Sequence, residues 1–187
     1  MTEKTKRQKQ ATVIRIMRRI HRITGISLFL FFFIIGCTGI LLGWKKNSNG
    51  VILAKTYQGT STDLKDWISM DSLYKNAIFY LKTEVSEDLS TTVDRMEIRA
   101  DKGCVKFTFE GHFWGLQLDG ATGNLLAVER RNADWIEKLH DGSLLDLYLG
   151  SSAQIFKLFY TSIMGLALIT FTISGFWLWH GPKRMRK

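Results

Sequence analysis

Two stretches of 22 residues, Ile23–Trp44 and Leu158–Trp179, contain no charged residue. Nothing else in the chain limits its fold so strongly. At about 1.5 Å per residue, each reaches roughly 33 Å as a helix, enough to cross a bilayer core of about 30 Å. Inside hydrocarbon every backbone N–H and C=O must be paired within the segment, which requires a helix. Charge is arranged around these runs. The first 22 residues hold Lys4, Lys6, Arg7, Lys9, Arg15, Arg18, Arg19 and Arg22 against one acid, Glu3, and the last five hold Lys183, Arg184, Arg186 and Lys187. The net charge of +9 is therefore concentrated at the two ends. Basic clusters that abut apolar runs point to membrane flanks and away from nucleic acid.

The positive-inside rule then predicts both termini in the cytoplasm and residues 45–157 outside, in the periplasm of a bacterial inner-membrane protein. Lys45 and Lys46 oppose this but are outnumbered. Trp44 on one side, and Trp177 and Trp179 on the other, suit the interfacial aromatic belts. The expected organisation is a basic tail (1–22), a first transmembrane helix (23–44), an extracytoplasmic domain (45–131), an amphipathic interfacial segment (132–157), a second transmembrane helix (158–180) and a basic tail (181–187). "IIGC" at Ile34–Cys37 resembles a lipoprotein cleavage box, but the apolar run continues through "TGILLGW", which favours an uncleaved signal anchor. Cys37 and Cys104 are expected to stay apart, with no disulfide and no metal-site spacing.

Between the runs, "VILAKTYQG" (Val51–Gly59) reads as a short strand and "WISMDSLYKNAIFYLKTEV" as a helix, capped by Ser69 or Asp71, with Leu73, Ala77, Ile78 and Leu81 on one face. Four strand-like runs follow: "VDRMEIRA", "GCVKFTFEG", "HFWGLQLDG" and "GNLLAVER". Met96 and Ile98 alternate with Glu97 and Arg99. Val105, Phe107 and Phe109 alternate with Lys106, Thr108 and Glu110, which predicts one buried and one wet face. "DKG" and "DGATG" supply hairpin glycines. The predicted class is membrane α+β: two transmembrane helices flanking a helix packed on a four-stranded antiparallel sheet. In "NADWIEKLHDGSLLDLYLG", Trp135, Ile136 and Leu139 share a face with His140 beside them, and Gly142 and Gly150 break the pattern, as in a short segment lying at a membrane surface.

Several motifs in order resemble one family. "IHRITGI" opens the first apolar run; "YQG…DLKDW…MDSL", "LQLDGATGNLLAVE" and "WIEKLHDG" follow; "ISGFWLW" closes the second run. Together, from about Arg19 to Trp179, they resemble the PepSY-associated transmembrane (PepSY-TM) family, with "LDGATGNLLA" as its PepSY-type hairpin. Larger relatives include inner-membrane ferric-siderophore reductases, which hold haem between transmembrane histidines and have at least four membrane helices. The resemblance implies haem b as a cofactor and His21 ("HR") and His140 ("LH-x-G") as its candidate ligands; His180, at the basic edge of the second apolar run, is a third candidate by position. His21 and His140 would lie at opposite membrane faces, so a dimer would be needed to pair two copies of each.

Helical geometry bears on this. At about 100° per residue, His21, Gly25, Leu28, Phe32, Gly36, Gly39 and Gly43 fall within a stripe of roughly 80°. Gly39-x-x-x-Gly43 is a small-residue helix-contact pattern. Thr161, Gly165, Leu168, Thr172 and Gly175 make a comparable stripe on the second helix, and His180 lies about 100° from its middle, just before a "GP" expected to end the helix. The plainer readings stand beside these: histidines contacting lipid headgroups, and glycines that only pack helices. His112 reads as a turn residue, Asp119 and Gly123 as turn chemistry, and Asp63, Asp66 and Asp71 as caps. Asp141 either orients His140 or starts a turn; Ser143 has no partners to activate it. No catalytic residue and no metal site is expected.

Two functions remain open. One is an accessory or partner-binding subunit of an envelope complex linked to iron uptake or respiration. The other is a haem-binding electron-transfer protein, dimeric or part of a larger assembly. Expected partners are the lipid bilayer and other membrane proteins or a second copy, met through the glycine stripes.

Overall fold

The second apolar run and all of the first but Trp44 lie inside single long helices. In chain order the elements are α1 (Glu3–Gly43), α2 (Met70–Glu84), β1 (Val93–Arg99), β2 (Cys104–Phe109), β3 (Trp114–Asp119), β4 (Leu125–Arg130), α3 (Asn132–Asp141), α4 (Ser143–Leu149) and α5 (Ile155–Arg186). This computed structural model describes residues 3–151 and 153–186; of the basic tails, Lys187 and the side chains of Lys4, Lys6 and Arg186 lie outside the described residues. The chain divides into a helical unit, Met1–Gly39 with Leu139–Lys187, and a sheet unit, Ile40–Lys138.

In the helical unit, only 6% of the most apolar window of α1 and 17% of that of α5 is buried. The core helix of a soluble protein would be mostly covered, so these exposed apolar surfaces are suited to lipid. The two helices meet at Phe171, Ser174 and Gly181 of α5, and Met164 and Ala167, at the same spacing, are buried. The stripe expected from Thr161, Gly165, Leu168 and Thr172 does not line this contact: Leu168 is exposed, and a Cβ at Gly165 would meet open space. The ridge that packs is rotated about one residue round the helix. The expectation that "GP" ends the helix is also corrected, since α5 carries Pro182 inside it and runs on to Arg186. Proline removes one N–H and leaves the Leu178 carbonyl without its donor. At a basic membrane boundary, water can supply that bond.

In the sheet unit, the strands pair antiparallel in the order β1-β2-β3-β4. Ser69 caps α2 by accepting from the Ser72 N–H at 3.1 Å. Leu73, Ala77 and Leu81, spaced by four, are buried on Val105, Phe107, Phe109, Leu116 and Leu118. Each large side chain there contributes roughly 1.5–3 kcal/mol by leaving water. α2 lies nearest β3 and β4. Met96 and Ile98 on β1 consequently stay 38% and 51% exposed, although their alternation marks them as inward-facing.

The second face of the sheet is wet only at β1, where Arg95 and Arg99 are exposed; over β2 and β3 it is covered. Lys106, Thr108, Gln117 and Asp119 project from it and are buried. Residues 51–61 cross this face as an irregular strap. The strand expected over Val51–Gly59 does not form, because the strap bonds to side chains instead of a neighbouring strand. Gln117 Oε1 accepts from the Tyr57 N–H at 3.0 Å, and its Nε2 donates to the Lys55 carbonyl at 2.7 Å. Gly59 donates its N–H to the Lys102 carbonyl, and Asp119 accepts from the Thr60 hydroxyl and N–H.

Candidate functional site

The helical unit brings two of the three candidate histidines into the same arrangement. His21 Nδ1 lies 2.8 Å from Ser174 Oγ of α5, and His140 Nδ1 lies 2.8 Å from Thr38 Oγ1 of α1. Both hydroxyls are buried and back-bonded within their own helices. Ser174 Oγ is 2.6 Å from the Thr170 carbonyl, and Thr38 Oγ1 is 2.7 Å from that of Ile34. Oxygens that close need a hydrogen between them, and a hydroxyl has only one. Each hydroxyl therefore gives its hydrogen to the carbonyl and accepts from the imidazole. This places a hydrogen on Nδ1 of both rings, so in the neutral imidazole the lone pair is on Nε2.

Both rings are half-buried, and among the described residues neither Nε2 has a hydrogen-bond partner. No unpartnered side-chain nitrogen is fully covered there, so both Nε2 atoms reach the surface of the unit. Glycines next to the two hydroxyls make room for the rings. A Cβ on Gly39 would stand 3.6 Å from His140 Cε1, and one on Gly175 would stand 3.8 Å from His21 Cε1. The Phe171 ring meets His21 edge-on at 4.5 Å and lies 3.3 Å from where a Gly25 Cβ would be. Gly36 and Gly43, like Gly165, face open space within the chain.

The other histidines differ. Among the described residues His180 meets no such hydroxyl, and its ring stacks on Phe176 with centroids 5.4 Å apart. His112 uses both nitrogens, with Nε2 on the Ser90 carbonyl at 3.1 Å and Nδ1 accepting from the Trp114 N–H at 3.2 Å. It has no lone pair to offer.

Of the two roles open to Asp141, the structure shows the turn. Its Oδ1 accepts from Ser143 N–H and Oγ, and its Oδ2 pairs with Lys157 at 2.8 Å. Burial pushes its carboxyl up, but these bonds outweigh burial and hold it below the ordinary carboxylate range. Thr38, and not Asp141, orients His140. Gly142, at φ +80°, separates α3 from α4, and Asp146 accepts from the Phe156 and Lys157 N–H groups at the start of α5.

The polar face of the sheet unit is a second candidate. Lys106 pairs with Glu129 at 3.5 Å beneath the strap, and Glu129 also accepts from Gln117. This is a buried charge balanced in place, with no group positioned to attack or transfer. Burial pushes the Cys104 thiol up, away from thiolate chemistry. Among the described residues, no group of three or more His, Cys, Asp or Glu could hold a metal ion.

Sequence reasoning missed Thr38 and Ser174. Their signal is a hydroxyl residue followed by glycine inside each apolar run, "TG" at 38–39 and "SG" at 174–175. The same pair at Thr24–Gly25 shows why that signal alone does not single them out. A family model described as a PepSY-associated TM region matches residues 18–187. No curated protein and no solved structure matches the chain.

Proposed function

Because that match makes the chain a member of the PepSY-associated transmembrane family, we propose that it is a haem-carrying electron-transfer subunit of a bacterial inner-membrane complex linked to iron uptake or respiration. In this reading both basic tails are cytoplasmic and the sheet unit is periplasmic, as the charge asymmetry favours.

One observation carries the reading. Two histidines share a relay of Nδ1–H, hydroxyl and helix carbonyl, and each keeps a bare Nε2 at the surface of an apolar helix pair. A ring nitrogen with no partner in hydrocarbon is unfavourable. A ligating histidine, by contrast, donates its other N–H to a fixed acceptor, which sets ring orientation and basicity. The residues therefore fit haem b, which when bound supplies a one-electron carrier. Each chain offers one ring nitrogen per level. His21 and Thr38 are 17 residues apart on α1, about 25 Å, so the two levels cannot share one haem. A second copy or a larger partner completes each level, and the open glycines Gly36, Gly43 and Gly165 leave small-residue surface for its approach.

The test is an absorption spectrum of protein purified from haem-replete cells. The wild type should show a Soret band, reduced in His21→Ala and in His140→Ala and absent from the double variant. Colourless wild-type protein would refute the reading.

The accessory reading has its own support. Met96 and Ile98 are apolar, about half exposed and on the edge strand β1, where an envelope partner could dock. Retention of a partner by haem-free protein, lost in Met96→Lys/Ile98→Lys, would favour it; a chain that co-purifies with nothing would count against it.

A further inference from the structure

We propose that the basic end of the helix pair holds a site for one anionic phospholipid. A cavity of about 170 Å³ opens there, lined by Lys9, Gln10, Val13 and Ile14 of α1 and by Trp177, Gly181 and Arg184 of α5. The four α1 residues are spaced i, i+1, i+4, i+5 and the three α5 residues i, i+4, i+7, so each set forms one helix face.

The floor is closed by direct packing. A Cβ at Gly181 would stand 2.8 Å from Ile14 Cγ1, so the helices touch where α5 has no side chain. Chemistry changes along the cavity. Trp177 marks its deep end, on the last turn of the uncharged run. Arg184 lies seven residues further out, about 10 Å along the helix. On α1, Lys9 likewise lies outward of Val13 and Ile14. An apolar interior with two cations at its mouth complements a molecule that is apolar at one end and anionic at the other. The only acid in the first 22 residues is Glu3, and the last five contain none, so the surrounding field adds to the attraction. Tryptophan next to cationic side chains is also the composition expected at headgroup depth. A phosphodiester headgroup would meet Lys9 and Arg184, and the start of one acyl chain would lie against Val13, Ile14 and Trp177. This site stands independently of haem.

The experiment is native mass spectrometry of the full chain from detergent, titrated with phosphatidylglycerol or phosphatidylcholine. The wild type should retain one phosphatidylglycerol in preference to phosphatidylcholine. Lys9→Ala/Arg184→Ala should lower phosphatidylglycerol affinity about tenfold or more, at roughly 1 kcal/mol per cation. Val13→Trp, which fills the cavity and leaves the charges in place, should also expel the lipid. Inorganic phosphate at millimolar concentration should not compete. An equal loss in Arg15→Ala/Arg18→Ala would show general polybasic adhesion and overturn the proposal. Competition by phosphate, or retention of the lipid in Val13→Trp, would overturn it as well.

Discussion

His140 Nδ1 and Thr38 Oγ1 meet at 2.8 Å across 102 residues of chain. The same distance joins His21 and Ser174 across 153. In both pairs the hydroxyl is already committed to its own helix carbonyl, so the imidazole is the donor. Removing the hydroxyl while keeping the shape should free the tautomer. In Thr38→Val and Ser174→Ala, nitrogen-15 spectra of the histidines in haem-free protein should move from one Nδ1–H form to a mixture, with helix content unchanged. Haem affinity should fall about 10- to 100-fold, the usual effect of losing a ligand's outer partner. An Nε2–H tautomer in the wild type would refute the assignment whether or not haem is bound.

The strap over the sheet depends on one amide. Gln117 is fully buried and satisfies the Tyr57 N–H and the Lys55 carbonyl while bonding to Glu129. Gln117→Leu preserves volume but strands the Tyr57 N–H and the Lys55 carbonyl and leaves the Glu129 carboxylate with Lys106 alone. At roughly 1–3 kcal/mol for each buried group left unpaired, the sheet unit should lose about 3 kcal/mol. Hydrogen exchange should show it first at the Tyr57 amide. Unchanged protection there would mean that the strap is held elsewhere.

Asp119 ties the strap to the last hairpin and makes that tie sensitive to acid. Burial pushes its carboxyl up, but the Thr60 hydroxyl and the N–H groups of Ala121, Thr122 and Thr60 outweigh this and hold it below the ordinary range. A carboxyl with a depressed folded value adds stability that is fully present above the unfolded value, about 3.9. That stability is lost as pH falls through the folded value. Thermal melts followed by the tryptophans of the full chain in detergent should therefore drop steeply below about pH 4. Asp119→Asn should be less stable at pH 7 and show a shallower drop. Parallel curves for the two proteins would remove Asp119 as the source.

The architecture was readable because its signals are long or periodic. Uncharged runs gave the two membrane helices, and the spacing of Leu73, Ala77 and Leu81 gave the face of α2. Over Val51–Gly59 four strand formers predict a strand; only tertiary bonding to Gln117 and Asp119 shows that the segment lies across the sheet. Lys106 and Gln117 look solvent-facing by alternation alone, and the strap that covers them is remote in sequence. In the helical unit His21 and His140 were legible as polar residues at apolar edges. Thr38 and Ser174 were not, since either hydroxyl could be an ordinary back-bonded residue until its contact across the fold is known.

Gly59 offers a last test of how the strap is seated. A Cβ there would stand 2.0 Å from the Gly103 carbonyl oxygen, and that carbonyl also accepts the Gly120 N–H at 2.9 Å. The obstacle is backbone on both sides, so no side chain can swing away to relieve it. Gly103 itself sits at φ +67° in the turn between β1 and β2, which fixes the direction of its carbonyl. Gly59→Ala must therefore lift the strap or open the turn, at a cost of about 3 kcal/mol, near the upper end for overpacking. Lifting the strap would also break the Thr60 bonds to Asp119, so the variant should resemble Asp119→Asn in its flattened acid response. A wild-type melting temperature in Gly59→Ala would show that the strap does not pass this close to the turn.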